Sequence, residues 1–268
     1  MTSGKKARQQ RQDVKRPPVS STGGRQASPK VLAVVAIAIA VAAIAAVVVF
    51  VVAGRGSGSS GSSDLATTTA ATALPDADAV IKGFDGIPQK GNVLGSPDAP
   101  VTMVQYIDLQ CPVCREFETG VMPTITSRYV RDGKVKVITR PIAFIGAESE
   151  VGRRAALSAG LQNKLAQFNQ LIYFNQQPEN SGWLTDQLVA AAYASIPGLN
   201  VQEALSSRTS PKVLAQTHTF DKQANADRVL GTPTVLIGKT GGKLTDIAPG
   251  GAPDVATVEA AIKKAQGQ

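Results

Sequence analysis

The two cysteines of the chain, Cys111 and Cys114, stand two residues apart at the junction of two stretches with different periodicity. Residues 99–107, APVTMVQYI, are β-branched and apolar and follow Gly-Ser-Pro-Asp turn chemistry, which predicts a buried strand. Residues 111–131 predict a helix that stops at Asp132-Gly133, and residues 134–142, KVKVITRPI, predict a second strand. Strand, helix and strand of these lengths make a βαβ unit, hence a parallel pair with a right-handed crossover. The cysteine pair is thereby fixed at the N-terminus of the crossover helix, and every fold open to this chain must accommodate it there.

Downstream the pattern becomes helical. Residues 148–228 predict four or five helices, broken at residues 178–182, at Pro197-Gly198 and around Pro211. Residues 232–238 and 243–248 predict two strands joined as a hairpin across Gly241-Gly242. A last helix carries Asp254 near its start and Lys263 and Lys264 at its end, matching the helix dipole. The expected class is α/β: β-α-β, a helical insertion at about residues 148–228, then β-β-α.

The net charge of +8 is not spread over this domain. Residues 1–30 hold eight basic side chains and one acid, whereas residues 56–268 hold 19 of each sign. A nucleic-acid partner needs a basic face on the folded part, and a neutral domain gives no basis for one. Residues 31–53 are 23 consecutive uncharged residues, nine of them alanine. As a helix they reach about 35 Å, enough for a hydrocarbon core of about 30 Å. They are longer than the apolar run of a cleaved signal, which favours a retained signal-anchor. The basic tail then places residues 1–30 in the cytoplasm and the rest outside it. Residues 54–75, rich in Gly, Ser and Thr, predict a flexible linker. The folded domain is expected over residues 76–268.

Three chemistries suit a Cys-x-x-Cys pair. A closed structural zinc site needs four ligands; the chain offers two cysteines and one histidine, His218. A disulfide between residues three apart closes a tiny loop and removes little chain entropy. Redox exchange fits better. Pro112 suits the first helical position, where a missing N–H costs nothing. Cys111 then sits at the positive end of the helix with free N–H groups at its sulfur, a setting that favours thiolate. Cys114 lies one turn further, less exposed. Cys111 is the expected nucleophile and Cys114 the resolving thiol.

Together, GSPDAPVTMVQYIDLQCPVC and the distant GTPTVLIGKTGGK resemble the DsbA-like branch of the thioredoxin superfamily, over nearly all of residues 91–265. The resemblance implies a thioredoxin fold with a helical insertion, here preceded by one transmembrane helix. It implies a cis Thr232-Pro233 bond facing the cysteines, with Thr232 and Pro233 holding an extended substrate chain beside Cys111. It implies a redox-active disulfide with no bound cofactor, reduced secreted proteins as substrates, and re-oxidation by an integral-membrane quinone-linked partner. A monomer is expected, since isomerases of this type bring a dimerisation domain where this chain has a linker.

Departures from the family pattern matter too. Val113 stands where the strongest oxidants carry a histidine. Gln105 stands where many relatives hold a buried proton-shuttling acid, which leaves Asp108, Glu116, Glu118 or a water for that task. Asp108 reads equally well as a loop or capping acid. Pro123 predicts a kink in the active-site helix. The expected activity is an extracytoplasmic thiol-disulfide oxidoreductase working as an oxidase. The alternatives are a reductase or isomerase and, from another class, a copper chaperone using Cys111, Cys114 and His218.

Overall fold

The computed structural model describes residues 73–267. The tail at 1–30, the span at 31–53 and all but the last residues of the linker at 54–75 lie outside them. Among the described residues no helix is long and apolar enough to cross a membrane.

A helix α1 (Ala77–Phe84) leads into two short strands, β1 (Gln89–Lys90) and β2 (Val93–Leu94). These precede β3 (Val101–Ile107), the cysteine-bearing helix, and β4 (Val135–Pro141). The insertion contains α4 (Ala147–Leu161), α5 (Leu165–Phe174), α6 (Asp186–Ala194), α7 (Val201–Ser207) and α8 (Pro211–Ala226). β5 (Thr234–Lys239), β6 (Thr245–Asp246) and α9 (Val255–Gln266) close the described chain. The strands lie in the order β1-β2-β4-β3-β5-β6. β3 runs parallel to β4 and antiparallel to β5. All seven residues of β3 are buried, as befits a central strand covered on both faces.

The thioredoxin order and the five-helix insertion match the sequence reading. Three local features differ from it. The residues before β3 form α1 and the β1–β2 hairpin, whose two-residue strands are too short to carry a periodic signal. The run from 147 to 177 is one helical pattern in sequence but two helices in space. Asn163 breaks it in the left-handed conformation (φ 60°), which asparagine tolerates past a helix end. The strand expected over 243–248 shrinks to Thr245–Asp246.

The active-site helix departs from regular α geometry around Pro123, and the physical cause is explicit. It begins as α2 (Pro112–Glu116), widens into a π turn (Phe117–Val121), continues as α3 (Met122–Ile125) and widens again (Thr126–Val130). In the first π turn the N–H of Met122 bonds the carbonyl of Phe117. The next donor in that register is the nitrogen of Pro123, which has no hydrogen, so the carbonyl of Glu118 loses its helical partner. Gln170 on α5 replaces it, donating Nε2–H to that carbonyl at 2.8 Å. Replacing Gln170 by methionine strands this buried carbonyl and is expected to cost about 1–3 kcal/mol by chemical denaturation. A variant as stable as the parent would refute this account.

Candidate active site

The register of the central strands builds the site. Tyr106 at the end of β3 pairs with Thr234 at the start of β5. One step further the chain reaches Pro233, level with the point where β3 turns into the cysteine loop. The Thr232–Pro233 peptide bond is cis, as expected, and Pro233 is buried. It directs the Thr232 carbonyl at Cys111, whose Sγ donates to that oxygen at 3.2 Å. Residues 121 positions apart in sequence thus meet at one sulfur.

Cys111 is itself the N-cap of α2. Its Sγ accepts the N–H of Cys114 at 3.3 Å, where a serine or aspartate oxygen more often caps a helix. Both sulfurs are free thiols. Cys111 is 5% exposed and Cys114 0%. The Cys111 thiol is lowered from 9.0 to about 6. The hydrogen bond from the Cys114 thiol is the main cause, with help from the Thr232 hydroxyl and the N–H groups of Cys114 and Val113; burial opposes it. Cys114 is raised well above the ordinary value, first by burial and then by its neighbour's sulfur, although the Asp108 N–H works the other way. At pH 7 a thiol of pKa near 6 is about nine-tenths thiolate. One sulfur is poised to attack or leave while the other holds its proton.

Pro112 and Val113 occupy the first turn and are exposed, Val113 at 42%. Val113 borders a groove of about 360 Å³ that runs along Leu230, Thr232, Pro233, Asp246 and Pro249. Leu230 is 89% exposed. The aromatic stretch 168–174 does not line this groove: Phe168 and Tyr173 are buried in the helical block. A larger cleft of about 490 Å³, beside Gln89, Asn163 and Gln167, includes no residue of the cysteine loop.

Asp108 is fully buried at the start of the cysteine loop. Its carboxylate accepts three backbone N–H groups: Gln110 at 2.9 Å, Phe144 at 2.7 Å and Ile145 at 2.9 Å. It ties the β4–α4 loop to the cysteine loop, the arrangement of a structural cap. Glu118 is the buried acid with an altered ionisation. Burial pushes its carboxyl from 4.5 up to about 8, against the hydrogen bond from Gln105. Gln105 Nε2 donates to Glu118 Oε1 at 2.6 Å and to Thr139 Oγ1 at 3.0 Å. These groups border a polar cavity of about 20 Å³, the size of one water. Gln105 Oε1 and Asn169 Oδ1 have no protein partner there. Glu116 is exposed.

His218 is exposed on α8. Among the described residues no three His, Cys, Asp or Glu side chains are grouped to hold a metal ion, so the set Cys111, Cys114 and His218 is not brought together. Sequence reasoning passed over Tyr173 and Gln176 as contacts of the cysteine loop. Their partners are backbone carbonyls, which leave no mark in the sequence.

A Cys-Pro-x-Cys pair capping a helix, with a cis-proline strand start across from it, defines a thiol-disulfide oxidoreductase of thioredoxin fold. Residues 88–263 match the thioredoxin family model, and the chain belongs to that family, in its DsbA-like branch. It is 29% identical over 147 residues to a probable disulfide bond formation protein D of Bacillus cereus, covering 54% of this chain and 68% of that one. The disulfide bond formation protein D of Bacillus subtilis is 25% identical over 150 residues, covering 54% and 66%. In fold, the chain is similar to oxidised BdbD from Bacillus subtilis, with TM-score 0.59 and 22% identity over 70% of this chain and 95% of that one. It is also similar to α-DsbA1 of Wolbachia pipientis, with TM-score 0.57 and 21% identity over 66% and 90%.

Two measurements follow from the ionisations. Alkylation of the reduced protein should titrate as a single thiol with a midpoint near 6. Because that value is depressed, the stability it gives the reduced form is complete above pH 9 and lost as pH falls through about 6. The disulfide form lacks this term, so the stability gap between the two forms should change over that window, and parallel curves would refute the assignment. Glu118 has the opposite sign: stability present below 4.5 is lost as pH rises through about 8. Glu118→Gln should flatten that slope and stabilise both redox forms at pH 8, on the order of 1–3 kcal/mol. A variant less stable at pH 8 would show that the carboxylate is instead well solvated or paired.

Proposed function

We propose that this protein is an extracytoplasmic disulfide oxidase. It is held to the membrane by residues 31–53 and works from a flexible tether on reduced secreted proteins. The observation that carries this reading is the inequality of the two sulfurs. Cys111 is held as thiolate by hydrogen bonds, and Cys114 is fully buried beside it. Whatever stabilises the Cys111 thiolate stabilises the reduced pair and makes its disulfide a better oxidant. Relative to an ordinary thiol, a pKa of about 6 is worth about 1.4 kcal/mol at pH 7, or roughly 30 mV for the two-electron couple. That is a moderate shift, in keeping with a valine rather than a histidine at position 113.

The chemistry is two exchanges. A substrate thiolate in the groove beside Pro233 attacks Cys111 Sγ. The Cys111–Cys114 bond breaks, and the Cys114 sulfur leaves with the electron pair and takes up a proton. Thr232 and Pro233 hold the substrate chain extended in the mixed disulfide. A second substrate thiolate then attacks the substrate sulfur of that mixed disulfide, and Cys111 leaves as a thiolate. Its low pKa makes it a good leaving group. Glu118, one turn beyond Cys114 and neutral over much of the physiological range, is the acid suited to exchange the Cys114 proton. Re-oxidation by a quinone-linked membrane partner regenerates the disulfide.

The test is a glutathione redox equilibrium on the full-length protein together with oxidative refolding of a reduced secreted protein. The oxidase reading expects refolding activity and a potential well above the roughly −270 mV of thioredoxin. A potential at that level with no refolding activity would overturn it in favour of a reductase. Cys111→Ser should abolish exchange, and Cys114→Ser should accumulate the substrate as a mixed disulfide on Cys111.

A further inference from the structure

Two side chains from the helical block reach across to the cysteine loop and take hold of its carbonyl groups. Tyr173 on α5 donates its hydroxyl to the carbonyl of Asp108 at 3.0 Å. Gln176, just past the end of α5, gives its amide to the carbonyls of Leu109 at 2.9 Å and Cys111 at 3.2 Å. Tyr173 is 0% exposed and Gln176 7%. Three of the four residues that lead into α2 therefore have their carbonyls turned toward the insertion.

This orientation matters because of what faces the other way. A carbonyl oxygen is the negative end of the peptide dipole, and a thiolate is destabilised by one nearby. The Cys111 carbonyl is taken up by Gln176 and by the N–H of Arg115 at 3.0 Å. The sulfur faces the N–H of Cys114, the Cys114 thiol and the Thr232 hydroxyl, and a single carbonyl, that of Thr232, to which it donates when protonated. The titratable groups packed around the pair are Asp108 on the loop, Glu118 on the π turn and Tyr173 on α5, with Arg228 and Asp246 along the groove in front. Hydrogen bonds, rather than a neighbouring cation, account for the lowered Cys111 thiol. A site tuned by hydrogen bonds alone depends on how firmly the loop's dipoles are held.

We infer that Tyr173 and Gln176 are positioning residues for the nucleophile: by fixing the carbonyls of Asp108, Leu109 and Cys111 toward the helical block, they let the insertion set how well the Cys111 thiolate is stabilised. The inference rests on the reading of Cys111 as nucleophile. It gives the helical insertion an electrostatic task at the cysteines, in addition to covering them.

Tyr193 provides the matched comparison. It too is fully buried in the helical block and donates its hydroxyl to a backbone carbonyl, that of Ala155 at 2.8 Å, but it does not touch the cysteine loop. The experiment measures the pH dependence of Cys111 alkylation and the glutathione equilibrium for full-length wild type, Gln176→Met, Tyr173→Phe and Tyr193→Phe, with stability recorded for each. Gln176→Met should raise the thiolate midpoint by about one unit, a tenfold change in the ionisation constant. It should also move the glutathione equilibrium several-fold toward the oxidised enzyme. Tyr173→Phe, which removes one oxygen atom, should move both in the same direction by less. Tyr193→Phe should lose stability and move neither. If Gln176→Met does not fold, Tyr173→Phe against Tyr193→Phe decides the question. A lowered wild-type midpoint that neither loop variant moves, whatever their stability, overturns the inference alone. A wild-type midpoint in the ordinary thiol range overturns it together with the reading of Cys111.

Discussion

The structure turns on a helix capped by sulfur. An oxygen at an N-cap accepts an orphan N–H and its work is done; a sulfur in the same place also acquires a charge it would not hold in water at neutral pH. The Cys114 N–H reaches Cys111 Sγ at 3.3 Å, and the loop before it is tied down by side chains from several elements. Asp108 ties that loop to residues 144 and 145. Gln110 Nε2 donates to Ser149 Oγ at 3.0 Å, and its Oε1 accepts the N–H of Asn180 at 2.7 Å. Gly152 on α4 permits this closeness, since a Cβ there would lie 2.8 Å from Leu184 and 3.1 Å from Leu109. The thioredoxin sheet supplies the strand end and the cis-proline, and the insertion supplies the clamp.

The buried acid of the active-site helix has a different logic. The central strand β3 carries the neutral Gln105 rather than an acid. The acid stands instead on the helix, at Glu118, and Gln105 is its hydrogen-bond donor. Desolvation decides the outcome, because it outweighs the Gln105 hydrogen bond and leaves the carboxyl neutral up to about 8. The same π turn that opens at Pro123 carries Glu118, and the same α5 that repairs the Glu118 carbonyl carries Tyr173. The π turn, the acid and the clamp are therefore joined through α5.

Much of this was legible in the sequence, and the reasons are physical. The βαβ unit around Cys111 and the hairpin after Pro233 announce themselves because buried strands and amphipathic helices have distinct periods. The inequality of the two sulfurs is foreshadowed by Pro112 and the direction of the helix dipole. Two kinds of feature were not legible. Elements too short to repeat, such as β1 and β2, carry no period to detect. Contacts from a side chain to a distant backbone, such as Gln176 to Leu109 or Gln170 to Glu118, leave one partner chemically anonymous. Asp108 shows a third case. The sequence leaves it open between a proton-transfer acid and a loop cap, and two of its three N–H donors, those of Phe144 and Ile145, come from backbone whose position only the fold reveals.

Local and distant residues thus divide the site. The four residues Cys-Pro-Val-Cys specify a helix start with a sulfur at its cap, but an isolated peptide of that sequence would fray, because short helices are marginal in water. Thr232 is 121 positions away and Gln176 is 65 away, and both reach Cys111 through the backbone. The environment of the Cys111 sulfur is therefore a property of the closed domain. Such coupling suits the proposed exchange with partly unfolded chains that carry ordinary thiols of their own. The difference between the Cys111 sulfur and theirs is the folded structure itself.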